Sequence, residues 1–223
     1  MSIQLNLNTI KDTLPEHVTL VAVSKTKPVS DLMQAYEAGQ RIFGENKIQE
    51  MTEKWEQMPK DIQWHMIGHV QSNKVKFMAP YVTLIHGVDS LKLLQEINKQ
   101  ALKNNRTIDC LLQIYIAEEE SKFGLDEKEL NELLTSVEFT ELKNIRILGL
   151  MGMATFTEDQ NQIKKEFTHL KTIFDSLKNI DGYGKDALQC VSTISMGMSG
   201  DYKLAIECGS TMVRIGSSIF GGR

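Results

Sequence analysis

Short apolar runs rich in β-branched residues recur along the chain, and between them apolar residues return every three or four positions. The runs are Val18–Lys25, Arg41–Gly44, Trp64–Gly68, Val82–His86, Ile108–Ile116, Ile145–Met151, Val191–Ser195 and Met212–Ile215. Each has the length and composition of a buried strand. The stretches between them read as amphipathic helices. Ile48, Met51, Trp55 and Met58 fall on one helical face, as do Leu91, Leu94, Ile97 and Ala101, and also Ile163, Phe167, Leu170 and Phe174. Gly39 and Gly209 stand where helices would stop. Asp126 with Glu129, and Thr157 with Gln160, have the spacing of capping boxes.

Strands alternating with helices predict a parallel sheet. Eight strands, the count of runs above, are also the number that closes a barrel around packed side chains. The expected fold is therefore a single (β/α)8 TIM-type barrel, with an open doubly wound sheet as the alternative. The last run lies close to Arg223 and leaves no room for a long eighth helix. The segment Ser2–Leu14 is expected to be helical and to cover that gap. No low-complexity linker divides the chain, so residues 1–223 read as one domain.

Composition narrows the function classes. The chain has 223 residues, 41% of them hydrophobic, which is ample for one buried core. Its formal net charge is −4 and its basic residues are scattered, which argues against a nucleic-acid partner. No apolar run reaches the ~20 residues of a membrane span. The opening MSIQLNLNTIKDTLPEH lacks the basic-then-apolar order of a secretory signal, so a cytoplasmic protein is expected. Cys110, Cys190 and Cys208 are widely separated and read as reduced structural cysteines.

Candidate chemistry collects where such barrels carry their active sites, at the C-terminal ends of the strands. Lys25 ends the first run, in phase with Val21 and Val23. Inside a barrel a lysine is costly unless neutral, paired or covalently used. Desolvation favours the neutral amine that a Schiff base requires. The plainer reading is a lysine reaching out to solvent. Lys27, two residues on, is expected to lie further out and to be solvated. Barrels frequently bind phosphate after strands seven and eight. After strand seven, Ser199 precedes a helical stretch and reads as its N-cap. After strand eight, Gly216 would admit a close backbone approach, and Ser217 and Ser218 add donors. Ordinary turn chemistry accounts for most loops of this kind. Arg214, inside the last run, needs a partner: Glu207, Asp201 or a ring nitrogen of a bound group. His65 and His69 lack a metal-binding motif, and Glu118–Lys122 reads as a solvated loop. Met151, Met153, Met196 and Met198 are either core filler or the lining of a pocket.

The segments AVSKTKP, FGENKIQE, WHMIGHVQSNK, SKFG, GLMGMAT, STISMGMSGDYKLAIECGS and VRIGSSIFGGR follow one another along nearly the whole chain. With them the sequence resembles the pyridoxal phosphate homeostasis protein family. The resemblance implies a fold like the N-terminal barrel domain of alanine racemase, with pyridoxal 5′-phosphate as cofactor. It places the Schiff base on Lys25, the phosphate at Ser199, Gly216 and Ser217, and Arg214 beside the pyridine nitrogen. Asn46 matches a neighbour of the cofactor. The loop after strand five, AEEESKFG, departs from the Asn-Val-Ser-Gly wording associated with the family.

Three functions compete: a cofactor carrier, a pyridoxal-phosphate enzyme acting on amino acids such as a racemase, and a bare-lysine aldolase. A guanidinium disfavours a proton on the ring nitrogen beside it, which weakens the cofactor as an electron sink. Racemisation in the resembled fold also needs a tyrosine from a C-terminal β domain, which the chain is not expected to carry. The sixth run, ILGLMGMAT, has no lysine for an aldolase. The expectation is a non-catalytic carrier or sensor of vitamin B6 cofactor. It would be a monomer, with apo pyridoxal-phosphate enzymes as partners and no metal, nucleic acid or membrane.

Overall fold

Val21, Leu84, Leu111, Met151 and Met212 come from five separate runs of the sequence and meet in one buried cluster. They face the centre of a closed barrel of parallel strands that pair in chain order, with the last returning to the first. The strands are β1 (Thr19–Val23), β2 (Ile42–Glu45), β3 (Gln63–Met66), β4 (Leu84–Val88), β5 (Ile108–Gln113), β6 (Ile145–Met151), β7 (Thr193–Ser195) and β8 (Met212–Ile215). The structure is a computed structural model that describes residues 2–118, 123–177 and 191–222. The TIM-type barrel read from the sequence is formed.

Neighbouring strand positions point outward, because side chains alternate across a strand. Leu20, Phe43, Trp64 and Val213 meet the apolar faces of the surrounding helices there. The three helical faces expected from the sequence supply much of this layer: Met51, Leu94, Ile97, Phe167 and Leu170 are each fully buried. The helix Ile3–Thr13 packs on the helices Val29–Glu37 and Ser217–Phe220, and so covers the outside of β1 and β8 as expected. Asn6 Nδ2 ties it to the Ile219 carbonyl at 3.1 Å. Among the described residues no helix is long and apolar enough to cross a membrane.

Helix ends follow local chemistry. Asp126 and Glu129 form the expected capping box for the helix Glu127–Thr135. Gly39 and Gly209 follow helices with φ of +86° and +97°, the left-handed values that favour glycine. The second expected box is corrected: Asp159, not Thr157, accepts from the backbone N–H groups of Asn161 and Gln162 at the start of Gln160–Leu177. Strand ends also move. The expected strand Ile108–Ile116 stops at Gln113, because Tyr115 N–H turns to the Leu125 carbonyl. The fourth strand begins at Leu84, because Tyr81 and Val82 still donate to Met78 at a helix end. Cys110 and Cys208 are free thiols, and Cys190 lies outside the described residues.

Candidate functional site

Above the apolar floor of the barrel the inward positions turn polar. His65 on β3, His86 on β4, Gln113 on β5, Ser195 on β7 and Arg214 on β8 are all buried. A polar layer below the C-terminal mouth is where this architecture carries binding chemistry.

Lys25 lies two residues beyond the last paired rung of β1 and β2, Val23 with Gly44, and Asn46 stands two residues beyond the same rung on β2. Lys25 is half-buried and makes no hydrogen bond or ion pair with any described residue. Lys27 behaves otherwise. Its Nζ donates to the carbonyls of Phe220 and Gly222, both at 3.0 Å, so the expectation that it is solvated is corrected. Of the two candidates, Lys25 has the uncommitted amine.

A buried charge cluster outside the barrel wall fixes the backbone around Lys25. Lys54 Nζ, on the helix Ile48–Gln57, donates to the Ser24 carbonyl at 2.8 Å and to Glu45 Oε1 and Glu50 Oε1, both at 2.7 Å. Ser24 Oγ donates to Glu45 Oε1, and the Thr26 N–H to Glu50 Oε1, each at 2.6 Å. Thr26 takes φ +64°, uncommon for a β-branched residue. Ser24 and Thr26, which flank Lys25, are therefore each held by the cluster. Burial pushes the Glu45 carboxyl above its ordinary value, and Lys54 pulls it back. Glu45 Oε2 is buried without a partner among the described residues.

The register between β1 and β8 brings the loop after β8 to the same place. Val21 pairs with Arg214 and Ala22 with Ile215, so Gly216 lies against Val23. A Cβ on Gly216 would come within 3.1 Å of the Val23 carbonyl oxygen. Glycine is needed there for close packing on β1, as well as for any approach by an anion. The Gly216 N–H donates to Ser199 Oγ at 3.3 Å, which joins the loops after β7 and β8. Ser199 is thus not the expected N-cap. The helix Tyr202–Glu207 starts after Asp201, whose Oδ1 accepts from the Met198 N–H. Ser217 and Ser218 are exposed in the first turn of Ser217–Phe220, where a helix leaves its N–H groups without internal partners.

Arg214 is 4% exposed. Its Nη1 donates to the Ser195 carbonyl at 2.9 Å and to Ser195 Oγ at 2.7 Å, and its Nη2 to the Gly152 carbonyl at 3.1 Å. Burial lowers its pKa to about 10, and the Asp201 charge opposes that shift. Asn46 opens on a cleft of about 370 Å³, shared with Lys47, Ile48, Gln49, His69, Gln71 and Lys74. His69 approaches Asp89 at 3.4 Å and stacks on Phe123. The four methionines divide: Met151 and Met153 belong to the barrel interior, Met196 to the outer layer, and Met198 is 37% exposed. Residues 119–122 of the loop after β5 lie outside the described residues.

The structure thus gathers Lys25, Arg214, Gly216 and Ser199 around the β8–β1 junction, with Asn46 across β1. Two groups of residues were missed from sequence. His86 and Ser195 look like isolated polar residues in apolar runs. The available signal was that polar residues recur in inward phase near the ends of several strands. Glu45 and Lys54 carried no such mark, because their pairing depends on how a helix lies on a strand.

Comparison with known proteins agrees with the fold. The model of the alanine racemase N-terminal domain matches residues 1–223. The pyridoxal phosphate homeostasis protein of Pasteurella multocida is 40% identical over 209 residues, 92% of this chain and 87% of that protein. The protein of the same name from Escherichia coli is 37% identical over 213 residues, 94% of this chain and 87% of that one. The structure of PipY from Synechococcus elongatus with PLP bound superposes with a TM-score of 0.87 at 32% identity, covering 99% of this chain and all of PipY. Alanine racemase of Clostridium difficile, in complex with cycloserine, shares the fold at TM-score 0.78 and 16% identity. It covers 100% of this chain, which spans 60% of the racemase.

Proposed function

The chain belongs to the pyridoxal phosphate homeostasis protein family, and from that premise we propose that it binds pyridoxal 5′-phosphate as a carrier or sensor of the cofactor. One observation carries the reading: the β8–β1 register sets an uncommitted lysine beside two loops that a Gly216 N–H to Ser199 Oγ hydrogen bond joins. When bound, the cofactor supplies an aldehyde for condensation with amines and a ring that can withdraw electrons. The donor set fits such a molecule, with an amine for its aldehyde and hydroxyl and N–H donors for its phosphate.

On this reading Lys25 holds the cofactor as a Schiff base. Its Nζ bonds to the aldehyde carbon, and the aldehyde oxygen leaves as water. Ser199, Gly216 and Ser217 hold the phosphate, Asn46 borders the ring, and Arg214 stands at the ring nitrogen. A guanidinium keeps its own proton, so Arg214, held by Ser195 and the Gly152 carbonyl, passes none to that nitrogen. The ring therefore stays a weak electron sink, which suits storage and delivery better than turnover. The whole chain acts as one domain, a cytoplasmic monomer that hands the cofactor to apo enzymes.

The test is an absorbance spectrum of the protein loaded with pyridoxal phosphate, before and after borohydride reduction. Lys25→Ala is expected to lose the adduct band, while Lys27→Ala keeps it. Mapping of the reduced adduct to any other lysine would overturn the assignment. Sustained turnover of amino acids near the ~10 s⁻¹ typical of enzymes would overturn the carrier reading.

A further inference from the structure

Behind Arg214 a row of buried polar side chains crosses the barrel interior. Ser195 Oγ accepts from Arg214 Nη1 at 2.7 Å and lies 3.2 Å from His86 Nδ1. His86 Nε2 lies 3.0 Å from His65 Nδ1. Ser195 and His86 are fully buried, and His65 is 3% exposed. The row spans β8, β7, β4 and β3.

Proton bookkeeping gives the row a direction. Arginine has donors only, so Ser195 Oγ must accept from it. The serine proton then needs an acceptor, and His86 Nδ1 is within reach. His86 accordingly carries its proton on Nε2 and donates to His65 Nδ1, which leaves the His65 proton on Nε2. The opposite arrangement would leave a buried hydroxyl proton without a partner, which is costly. Both rings are neutral: burial holds His65 down to about 3 and pushes His86 well below its ordinary value.

We infer that Ser195, His86 and His65 are positioning residues, which hold the Arg214 guanidinium at the barrel axis in the place where it would meet a bound pyridine nitrogen. The inference rests on the proposed cofactor site. Of the three acceptors around the guanidinium among the described residues, two are backbone carbonyls fixed by the strands. The third, the Ser195 hydroxyl, is a rotor, and His86 stops it from turning. Without that stop Arg214 loses one of its three bonds, and the ring nitrogen loses a fixed neighbour.

Two experiments test this. The first uses the cofactor-free chain, with ¹⁵N-labelled histidine observed by NMR. Both Nδ1 atoms are expected to be bare and both Nε2 atoms protonated, and a protonated His86 Nδ1 would overturn the direction of the row. The second loads ¹⁵N-labelled pyridoxal phosphate into Ser195→Ala, His86→Leu and His86→Asn. Asn can still accept from Ser195, so it should retain most of the wild-type behaviour. The other two should bind on the order of tenfold more weakly, the scale of one charge-assisted hydrogen bond. They should also shift the ring-nitrogen resonance. Lower melting temperatures with an unmoved ring-nitrogen resonance would show a merely structural role and overturn the inference alone. A wild-type chain that forms no adduct would instead sink the proposed function, and this inference with it.

Discussion

Replacing Lys54 with methionine removes the cation at the centre of the cluster beneath Lys25. The Glu45 side chain is wholly buried and that of Lys54 is 6% exposed, so water cannot take over the lost contact. The variant keeps a carboxylate with one Ser24 hydrogen bond and a second oxygen that already has no partner among the described residues. Breaking a buried ion pair from one side costs about 3–5 kcal/mol. At ~2–4 °C per kcal/mol for a chain of this size, the melting temperature should fall by roughly 6–20 °C. The loss must also depend on pH. Burial already raises the Glu45 carboxyl, and Lys54 is the leading group that pulls it back. Without Lys54 the folded chain binds the Glu45 proton still more tightly than the unfolded chain does. The penalty is then small where Glu45 is protonated in both states. It grows once pH passes the wild-type folded value, itself raised above the unfolded carboxylate value of ~4.3, and is complete above the still higher folded value of the variant. Urea unfolding of wild type and variant at several pH values between 4 and 8, each ~1 unit apart, measures this directly. The double variant Lys54→Met, Glu45→Gln should recover most of the loss at the upper end. A penalty under ~1 kcal/mol there, the value of an exposed pair, or one of equal size at every pH, would refute the reasoning.

Three further outcomes are expected. Asp126→Ala removes the capping box of Glu127–Thr135 and should cost ~1 kcal/mol in chemical denaturation, with no change in cofactor affinity. Pyridoxal without its phosphate should bind at least ~100-fold more weakly than pyridoxal phosphate in a spectroscopic titration, since two charge-assisted bonds contribute about 1.5–3 kcal/mol each; equal affinities would discredit the roles given to Ser199, Gly216 and Ser217. Cys110 is fully buried and burial pushes its thiol up, so it should resist a thiol reagent at neutral pH until the protein unfolds, while the half-buried Cys208 reacts. Labelling of Cys110 in the native state would contradict the packing around β5.

The barrel was legible because its strands are short apolar runs and its helices keep a clear apolar face. β6 and β8 fall on the expected residues, Ile145–Met151 and Met212–Ile215. The ends that moved, at β4 and β5, did so where backbone N–H groups found partners outside the sheet, which side-chain patterning does not reveal. Lys25 and Arg214 could be picked out because a charge inside an apolar run is conspicuous. Ser199 was placed at the right loop and given the wrong partner, since the Gly216 N–H comes to it only after the barrel closes. The pairing of Lys54 with Glu45 spans one helix and one strand, and nothing local marks it.

The junction of β8 with β1 sets the order in which the molecule can come into being. Residues 19–22 pair with residues 212–215, and Asn6 bonds to a carbonyl 213 positions away. Contacts this distant in sequence bear the full entropy of loop closure and form late and slowly. The seam that joins last is also the one that brings Lys25 to Gly216 and lays Arg214 beside Val21. An emerging or partly folded chain with an open ring can present the lysine but not the loop or the guanidinium. If the proposed site holds the cofactor, its capture would certify finished folding, and in a refolding experiment it should rise with the slowest phase.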